Sequence, residues 1–457
     1  MTRCMRGAGY TSQTCSSSSQ ACSLIIIDVL LAAHLHDLPS KSHAGASVAK
    51  PASPHMNRDI ILLFSTRIIR LFCYGFLSVV LALYLSEAGL TERQIGLLFT
   101  LTLAGDALIT LWLTTSADRF GRKRTLILGA LLMAGAGLAF VLTRNVALLI
   151  IAAIIGVISP SGNEIGPFLS VEQASLTQLI SDAKRTQFFA WYALAGSLAT
   201  ATGALIGGWL AQILQDNGWA ALEAYRIVLI GYAVGGFILL LLFLNLTRSV
   251  EVEAILDTTK RILGLHRSRN VVFKLSSFFA LDAFAGGLLV QSLIAYWFHV
   301  RFGVESGVLG SIFFGANILA GFSALLAVRL ANRFGLINTM VFTHIPSNIL
   351  LILVPLMPTL PLAIAVLLLR FSISQMDVPT RQSYTMAVVA PDERSAASGV
   401  TAIARSVGAA VSPALTGLLF SMPLLFSVPF FLSGGLKIVY DLLLYREFRA
   451  VKPPEET

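Results

Sequence analysis

Long apolar stretches, separated by short polar turns, follow one another along the chain from about residue 60 to residue 445. Each stretch is continuous for about twenty residues, which is the length that an α-helix needs to cross a membrane. The alternation of apolar and polar residues that marks the strands of a membrane barrel is absent from the sequence. The pattern predicts an all-α membrane protein with twelve transmembrane helices, whose approximate cores are 60–86, 94–116, 125–143, 146–169, 187–213, 226–247, 272–299, 307–330, 337–357, 361–389, 396–420 and 424–446.

Three short motifs occur in both halves of the chain, in the same order and at nearly the same spacing. The matching segments are 118–121 with 332–335, 182–185 with 392–394, and 164–167 with 377–379. Parallel repeats of this kind, related by an axis along the membrane normal, are a known transporter architecture. The sequence therefore predicts two pseudo-symmetric bundles of six helices each.

One long polar segment divides the membrane region into these halves and is expected to form a short surface helix. The predicted domains are an N-terminal bundle at 56–247, a cytoplasmic linker at 248–270, a C-terminal bundle at 271–447 and a tail at 448–457. Residues 1–55 are rich in serine, and their apolar run is too short to span a membrane. We expect them to be disordered or a dispensable extension, because Met56 offers a natural start; a targeting segment is the alternative.

Charged residues make up only 12% of the chain and the mean hydropathy is +0.77, which excludes a soluble domain. The net charge of +9 could indicate nucleic-acid binding. However, Lys and Arg collect in alternate loops, which is the orientation signal of a membrane protein. We therefore expect a multi-pass protein of the plasma (inner) membrane, with both termini in the cytoplasm and no nucleic-acid partner.

Motifs of soluble enzymes are missing from the sequence. It contains no phosphate-binding glycine loop, no metal-spaced cluster of His and Cys, and no nucleophile elbow. The seven histidines are scattered, and we interpret His299 and His344 as interface residues. The four cysteines show no paired spacing. We expect a protein that is not an enzyme and uses no cofactor or metal ion.

Charges inside apolar stretches are the best candidates for function, because a charge at bilayer depth usually faces a polar pathway. The predicted tenth helix carries Arg370, Asp377 and Arg381, and spacings of seven and four residues place them on one helix face. The two arginines are candidates for substrate binding, and Asp377 for proton exchange. The alternative is a structural salt bridge between Asp377 and Arg381. Pro379 is expected to kink the helix within this stripe.

The predicted fourth helix carries Glu164 and Glu172, eight residues apart and so broadly on one side. The segment 159–167 is rich in Pro and Gly, and broken backbone at membrane depth is tolerated only inside protein or beside a cavity. Glu164 is therefore the preferred proton-binding carboxylate, with Glu172 as a further candidate. The alternative is that the segment approaches a membrane surface and Glu164 is simply hydrated.

Further candidates lie in other predicted helices. The first helix carries Arg67 and Arg70 on one face, both candidates for substrate binding, although Arg67 could instead snorkel to the membrane surface. Asp106 in the second helix and Asp282 in the seventh are candidate proton carriers. Asn317 in the eighth helix is a candidate for lining the substrate path.

The predicted fifth helix is rich in small residues, with Gly196, Gly203, Gly207 and Gly208 among them. Small residues at this density let two membrane helices approach closely. We interpret these glycines as helix-packing residues. In a transporter such a contact would also be a moving surface.

The short basic turn at residues 117–125, between the second and third predicted helices, resembles the signature loop of the major facilitator superfamily. The resemblance covers about residues 57–447. The leading glycine of the signature falls at Thr114, and Asn332 replaces the acid in the second copy. The resemblance implies a conformational latch made by the loop residues Asp118, Arg119, Gly121, Arg122, Lys123 and Arg124.

The fifth helix resembles the motif of the drug/proton antiporter branch of this family, with Ala204 where those proteins have proline. Their proton-relay arginine in the fourth helix has no counterpart, because Ile158 occupies its place. Arg370 resembles the equivalent arginine of the second half. The resemblance thus implies the superfamily fold and indicates the antiporter branch.

We expect a monomeric secondary transporter in the lipid bilayer, which moves a small-molecule substrate by alternating access about a site near the midplane. The preferred function is proton-coupled efflux of a small organic molecule. One alternative is a proton-linked importer or facilitator for an anionic metabolite, which the arginines at membrane depth favour. A second alternative is a receptor or scaffold that has the fold but does not transport.

Overall fold

The structure is a computed structural model that describes residues 54–164, 166–180, 182–251, 267–390 and 393–449. The predictions for residues 1–53, for most of the linker and for residues 450–457 lie outside this part of the chain. The described residues form helices joined by short turns, with no β-strand among them.

Eight α-helices are described in each half of the chain. Those of the first half are α1 (Pro54–Ser78), α2 (Leu81–Glu87), α3 (Glu92–Phe120), α4 (Arg122–Leu142), α5 (Val146–Ile155), α6 (Phe168–Leu179), α7 (Asp182–Asp216) and α8 (Ala221–Leu244). Those of the second half are α9 (Arg269–Gly287), α10 (Gln291–Phe302), α11 (Ser306–Phe334), α12 (Leu336–Leu353), α13 (Leu360–Phe371), α14 (Asp377–Val388), α15 (Arg394–Phe420) and α16 (Val428–Phe448).

Ten of the described helical segments are long and apolar enough to cross a membrane, and α5 and α13 are shorter apolar helices. Each of these two is followed, after a break, by a second short helix, α6 or α14, which completes the crossing. The described residues thus make twelve crossings, six on either side of the linker. The predicted all-α fold with two six-helix bundles is confirmed.

The fourth crossing is interrupted between α5 and α6. Gly162 and Gly166 adopt positive φ angles of 69° and 80° there, a conformation that glycine reaches without strain. The prediction of one continuous helix over residues 146–169 is therefore wrong. Glu164 lies in the break and Glu172 lies on α6, so the two carboxylates do not share a helix.

The tenth crossing is interrupted at residues 372–376, between α13 and α14. The prediction that Arg370, Asp377 and Arg381 share one face of one helix is wrong, because Arg370 belongs to α13 and the other two belong to α14. Pro379 is the third residue of α14, where a missing N–H removes no helical hydrogen bond. Pro379 therefore does not kink the helix, and the break precedes it.

The two bundles touch along α3 with α15 and along α7 with α11. A Cβ atom on Gly208 of α7 would lie 2.4 Å from the carbonyl oxygen of Ser306, and one on Gly417 of α15 would lie 2.8 Å from the Cα of Gly96. Both contacts lie at the helix ends that are remote from the basic turn at residues 119–124. We call this end of the molecule the closed end, and the end that carries the basic turn the basic end.

The other three glycines of α7 singled out in the sequence pack this helix against α1 of the same bundle. A Cβ atom added to Gly203 would lie 2.0 Å from the carbonyl oxygen of Phe72, and one added to Gly207 would lie 2.2 Å from that of Phe76. A Cβ atom added to Gly196 would lie 2.5 Å from a methyl group of Leu71. At Gly203 and Gly207 any side chain would force the two helices apart, because the obstructing atoms belong to the backbone, whereas at Gly196 the side chains of Leu71 and Arg67 would have to move.

Hydrogen bonds also join the bundles at the closed end. The Ser292 N–H donates to the carbonyl oxygen of Pro160 at 3.0 Å, and the Ser292 hydroxyl lies 2.6 Å from the carbonyl oxygen of Ser78. Gln291 Nε2 donates to Ser78 Oγ at 2.7 Å, and its Oε1 accepts from Asn317 Nδ2 at 3.3 Å. The breaks of the fourth and seventh crossings thus meet here, and Asn317 belongs to this contact.

Candidate functional site

A group of four charged side chains, which we call the first cluster, joins the first and fourth crossings: Arg67, Arg70, Glu164 and Glu172. Arg70 Nη1 donates to Glu172 Oε1 at 2.8 Å, and Arg70 Nη2 donates to Glu172 Oε2 at 2.7 Å. Arg70 Nε donates to Glu164 Oε1 at 2.7 Å, and Arg67 Nη1 donates to Glu164 Oε2 at 2.9 Å. The parallel pair of bonds between Arg70 and Glu172 is the strongest geometry for a guanidinium and a carboxylate.

Neighbouring groups use further hydrogen-bonding positions of the first cluster. Thr66 Oγ1 donates to Glu172 Oε1 at 2.9 Å, and the Tyr192 hydroxyl donates to Glu172 Oε2 at 2.5 Å. Arg67 Nε donates to the Tyr192 carbonyl oxygen at 3.0 Å, and its guanidinium carbon lies 4.2 Å from the centre of the Tyr192 ring. The cluster therefore also holds α7 against α1.

The first cluster is neutral as a whole, because two guanidinium groups face two carboxylates. The side chains of Arg70 and Glu172 have no exposed surface, whereas those of Arg67 and Glu164 are 11% and 13% exposed. Buried ion pairs are tolerated when their remaining donors and acceptors are also bonded, as they are here. The cluster fixes three crossings to one another, and of its members Arg67 and Glu164 are the two that can meet a solute or a proton.

A second group of charges, which we call the second cluster, has Asp282 of the seventh crossing at its centre. Lys437 Nζ donates to Asp282 Oδ1 at 2.5 Å, and Arg381 Nη1 donates to Asp282 Oδ2 at 3.1 Å. Arg405 Nη1 lies 3.5 Å from the same Oδ2. Arg381 Nη1 also donates to Asp377 Oδ2 at 2.8 Å. Four crossings of the C-terminal bundle therefore meet at these five side chains.

The second cluster is not neutral, because three cations face two carboxylates. Arg405 is its most loosely held member: the side chain is 37% exposed, yet Nη1 is buried without a hydrogen-bond partner among the described residues. A buried donor without an acceptor costs free energy. The second cluster can therefore accept a further anionic group beside Arg405.

Arg370 makes no hydrogen bond or ion pair with the side chains of the second cluster among the described residues, although Asp377 is its nearest charged neighbour there. Its guanidinium carbon is 4.9 Å from the centre of the Phe371 ring, and its Nε is buried without a hydrogen-bond partner in the described part of the chain. The break after α13 separates it from the two residues of α14 with which it was predicted to form a stripe. Arg370 is thus a second guanidinium with an unused buried donor in this bundle.

Asp106 on α3 is a partly buried carboxylate of the N-terminal bundle that lies outside the first cluster. Its Oδ1 is buried and makes no hydrogen bond to any described residue. The preceding Gly105 packs α3 on α5, since a Cβ atom there would lie 2.2 Å from the carbonyl oxygen of Ile154. Asp106 therefore lies near the residue at which α5 ends and the break of the fourth crossing begins.

The basic turn is bound to the start of the linker. The N–H groups of Arg122 and Lys123 donate to Glu251 Oε2 and Oε1 at 2.7 and 3.2 Å. Gly121 precedes them with a φ angle of 100°, and Arg122 Nη1 donates to Gln178 Oε1 at 3.0 Å. A carboxylate at the first turn of α4 is favourably placed with respect to the helix dipole.

The remaining predicted latch residues contribute less to this picture. The side chains of Asp118 and Arg119 lie outside the described part of the structure, and Arg124 is exposed. The contacts that the structure shows for the turn lie within the first half of the chain and the start of the linker. Its role as a latch between the halves stays a prediction.

Three ionisable residues of the C-terminal bundle were not among the predicted sites, namely Arg405, Lys437 and Asp441. The last two lie inside the apolar stretch predicted at 424–446, so the rule that selected Asp282 also applies to them. Arg405 lies inside the stretch predicted at 396–420 in the same way. At all three positions the sequence therefore shows a charged residue inside an apolar stretch, which is the signal that selected the other candidates.

Comparison with known proteins agrees with this architecture. Residues 63–413 match the family model described as Major Facilitator Superfamily. The chain is 32% identical over 426 residues to the uncharacterized membrane protein YJR124C of Saccharomyces cerevisiae, and this alignment covers 86% of this chain and 95% of that protein. It is also 24% identical over 162 residues to the quinolone resistance protein NorA of Staphylococcus aureus, and this alignment covers 35% of this chain and 39% of NorA.

One solved structure of the same fold is a bacterial homolog of the human lysosomal transporter Spinster, in an inward-facing and unoccupied conformation. It superimposes with a TM-score of 0.66 at 17% identity, and the match covers 86% of this chain and 95% of that one. At this identity the likeness establishes the fold, and the chemistry of the site depends on the residues described above.

Proposed function

The chain belongs to the Major Facilitator Superfamily and is a membrane transporter. We propose that it carries a small organic anion by alternating access, with a proton as the coupling ion. The observation that carries this proposal is the second cluster, in which Asp282 lies among three cations. Efflux of an unspecified small organic molecule, which the sequence favours, is the second candidate.

The second cluster offers a simple way to couple a proton to an anion. While Asp282 is ionised, it supplies the negative charge that Lys437, Arg381 and Arg405 share. Protonation of Asp282 removes that charge and leaves buried cations in need of an acceptor, which is unfavourable. A carboxylate or phosphate of a solute can take its place, so the proton and the anion bind together and move in the same direction.

The packing of the two bundles supports movement between two states. In the structure the bundles are joined at the closed end by hydrogen bonds and glycine contacts. If the basic end is cytoplasmic, as the loop charges predict, this is the state in which a solute reaches the site from the cytoplasm. The neutral first cluster binds three crossings of the N-terminal bundle, so that bundle can move as one body.

The second candidate, proton-coupled efflux, has a specific observation in its favour. Asp106 is a carboxylate in the N-terminal bundle whose Oδ1 is buried without a partner among the described residues. A cationic or neutral solute could compete with a proton for such a group, which is the basis of exchange in opposite directions. The partial likeness to NorA supports the same candidate.

Transport by the purified protein in proteoliposomes distinguishes the two candidates. The assay compares counterflow of labelled organic anions with counterflow of cationic dyes, and then net uptake driven by a pH gradient. We expect anions to exchange and net uptake to follow the proton gradient. Asp282→Asn should retain counterflow but lose accumulation driven by the gradient, because an amide cannot release a proton.

Lys274→Gln is the matched control, because Lys274 pairs with Glu447 at an exposed position and should leave transport unchanged. If Asp282→Asn is unstable, combining it with Lys437→Met removes one of the unpaired cations. Accumulation of anions by Asp282→Asn at the wild-type level would contradict the proposal. Exchange of cationic solutes alone, abolished by Asp106→Asn, would establish the second candidate instead.

A further inference from the structure

A buried histidine and a buried aspartate face each other between α12 and α16, behind the second cluster. His344 Nδ1 lies 2.9 Å from Asp441 Oδ1 and 3.1 Å from Oδ2, and Asn348 Nδ2 donates to the same Oδ2 at 3.2 Å. The Asp441 side chain has no exposed surface, and that of His344 is 6% exposed. The sequence alone favours an interface role for His344, but its carboxylate partner makes it part of an ionisable pair.

The pair is connected to the second cluster through α16. Lys437 and Asp441 are four residues apart, so their side chains lie one above the other on the buried face of this helix. Lys437 in turn donates a hydrogen bond to Asp282 on α9. Four ionisable side chains therefore follow one another across the bundle: His344, Asp441, Lys437 and Asp282.

Polar atoms without a protein partner gather in the same part of the bundle. Ser347 Oγ and Asn348 Oδ1 on α12 and Ser276 Oγ on α9 are buried and make no hydrogen bond to any described residue. The Tyr440 ring lies 6.1 Å from that of His344. Buried polar groups are almost always satisfied by protein or by water, so we expect water molecules to bind at these atoms, which we call the seam.

We propose that the His344–Asp441 pair is a second proton-binding site, which takes the coupling proton in alternation with Asp282. This inference rests on the proton coupling proposed above. Imidazole is the side chain whose charge ordinarily changes near neutral pH, and the Asp441 carboxylate is placed to hold the imidazolium as an ion pair. The seam of polar atoms supplies a route by which the proton passes between the sites.

Alternation follows from the charges around the pair. The ionisable groups that face it are Asp282 on α9 and Lys437 and Tyr440 on α16. Beyond them lie Arg381 and Asp377 on α14, next to Tyr440, and Arg405 on α15, next to Asp282. A proton on His344 adds a positive charge next to these cations, and a proton on Asp282 removes a negative charge from them. Both changes at once would leave the cations with too few counter-charges. When the imidazolium releases its proton it becomes neutral, and the same proton converts the Asp282 carboxylate to the acid.

The first test observes the site directly. In full-length protein labelled with ¹⁵N-histidine in lipid nanodiscs, the signal lost in His344→Gln identifies this imidazole. We expect this signal to report proton binding at the imidazole, and its response to pH to change when Asp282 is replaced by asparagine. The signal of His299, whose Nδ1 contacts the Val304 carbonyl oxygen near the closed end at 2.8 Å, should not shift.

The second test measures transport. His344→Gln should keep counterflow of the anion and lose the dependence of net uptake on pH. Asp441→Asn should behave in the same way, whereas His299→Gln should match the wild type. Thermal unfolding of each variant separates a loss of proton binding from a loss of folding.

The outcomes separate this inference from the function on which it rests. If wild-type uptake does not depend on pH, the proton coupling itself is wrong, and the NMR titration still reports whether His344 binds a proton. If wild-type uptake depends on pH and His344→Gln shows the same profile, the second site is wrong and the proposed function stands. A His344 signal that does not titrate, or that ignores Asp282→Asn, also overturns the inference.

Discussion

Replacing Gly208 by valine should separate the two bundles at the closed end. A Cβ atom at this position would lie 2.4 Å from the Ser306 carbonyl oxygen and 2.8 Å from the Cα of Gly310, whereas ordinary contacts begin at 3.4 Å. The obstructing atoms are backbone atoms of α11, which cannot rotate away as a side chain can. Relief therefore requires α7 and α11 to move apart.

The size of the effect follows from the cost of overpacking, which is about 1–3 kcal/mol for added carbon atoms in a packed contact. Only the conformation in which the bundles are joined at this end bears that cost. The ratio of the joined to the separated conformation should therefore fall by about 5- to 150-fold, since a change of 1.4 kcal/mol is about tenfold in an equilibrium constant.

Spin labels across the closed end report this equilibrium. Arg93 and Ser421 are suitable positions because Arg93 Nε lies 2.9 Å from Ser421 Oγ, one in each bundle. With the four native cysteines replaced and cysteines introduced at these two positions, pulsed dipolar spectroscopy measures the distance distribution. We expect a short distance in the parent protein and a dominant longer distance in Gly208→Val.

Gly135→Val is the matched control, because Gly135 is also inside a helix but a Cβ atom there has no neighbour within 4 Å. It should leave the distance distribution unchanged. If Gly208→Val also leaves it unchanged while the protein is folded, the close contact of α7 with α11 does not govern the separation of the bundles. The account of the closed end given above would then be refuted.

Two other predictions concern the N-terminal bundle. Arg70→Met leaves the Glu172 carboxylate buried without its bidentate partner and should lower the free energy of unfolding by about 3–5 kcal/mol, measured by chemical or thermal unfolding. Adding Glu172→Met should recover much of this loss. If the effects of the two substitutions are fully additive, the ion pair does not contribute as described. Glu251→Gln should weaken the hydrogen bonds to the N–H groups of Arg122 and Lys123, so a protease should cleave the start of the linker faster than in the wild type. An unchanged rate of cleavage would contradict this prediction.

Much of the membrane architecture could be predicted from the sequence, because the length of an apolar stretch is set by the thickness of the bilayer. The irregular backbone of the fourth crossing also had a local signal in the Pro and Gly residues of 159–167. The break at 372–376, Ser-Ile-Ser-Gln-Met, contains no Pro or Gly, and its signal is Pro379, which favours the first turn of a new helix over the interior of a continuous one. The prediction that Arg370, Asp377 and Arg381 form one stripe was wrong because it assumed that the helix continues through this break.

The candidate site shows the same limit. The sequence indicates that Asp282 is a costly charge at membrane depth, but it does not say which cations surround it. Lys437 and Arg405 are brought to Asp282 by the packing of separate crossings, at 2.5 and 3.5 Å. Likewise, the bidentate contact of Arg70 with Glu172 joins residues that are about a hundred positions apart, and spacing along one helix cannot reveal it.

The arrangement around Asp282 has an electrical consequence for the transport cycle. Under the coupling proposed above, a monovalent cargo anion would restore the negative charge that the proton removes from Asp282, so the carrier would have the same net charge on its outward and return journeys. The work done by the transmembrane voltage on one journey is then cancelled on the other, and the pH difference alone drives accumulation. A divalent cargo would break this cancellation, because one uncompensated charge would cross in every cycle at about 2.3 kcal/mol per 100 mV.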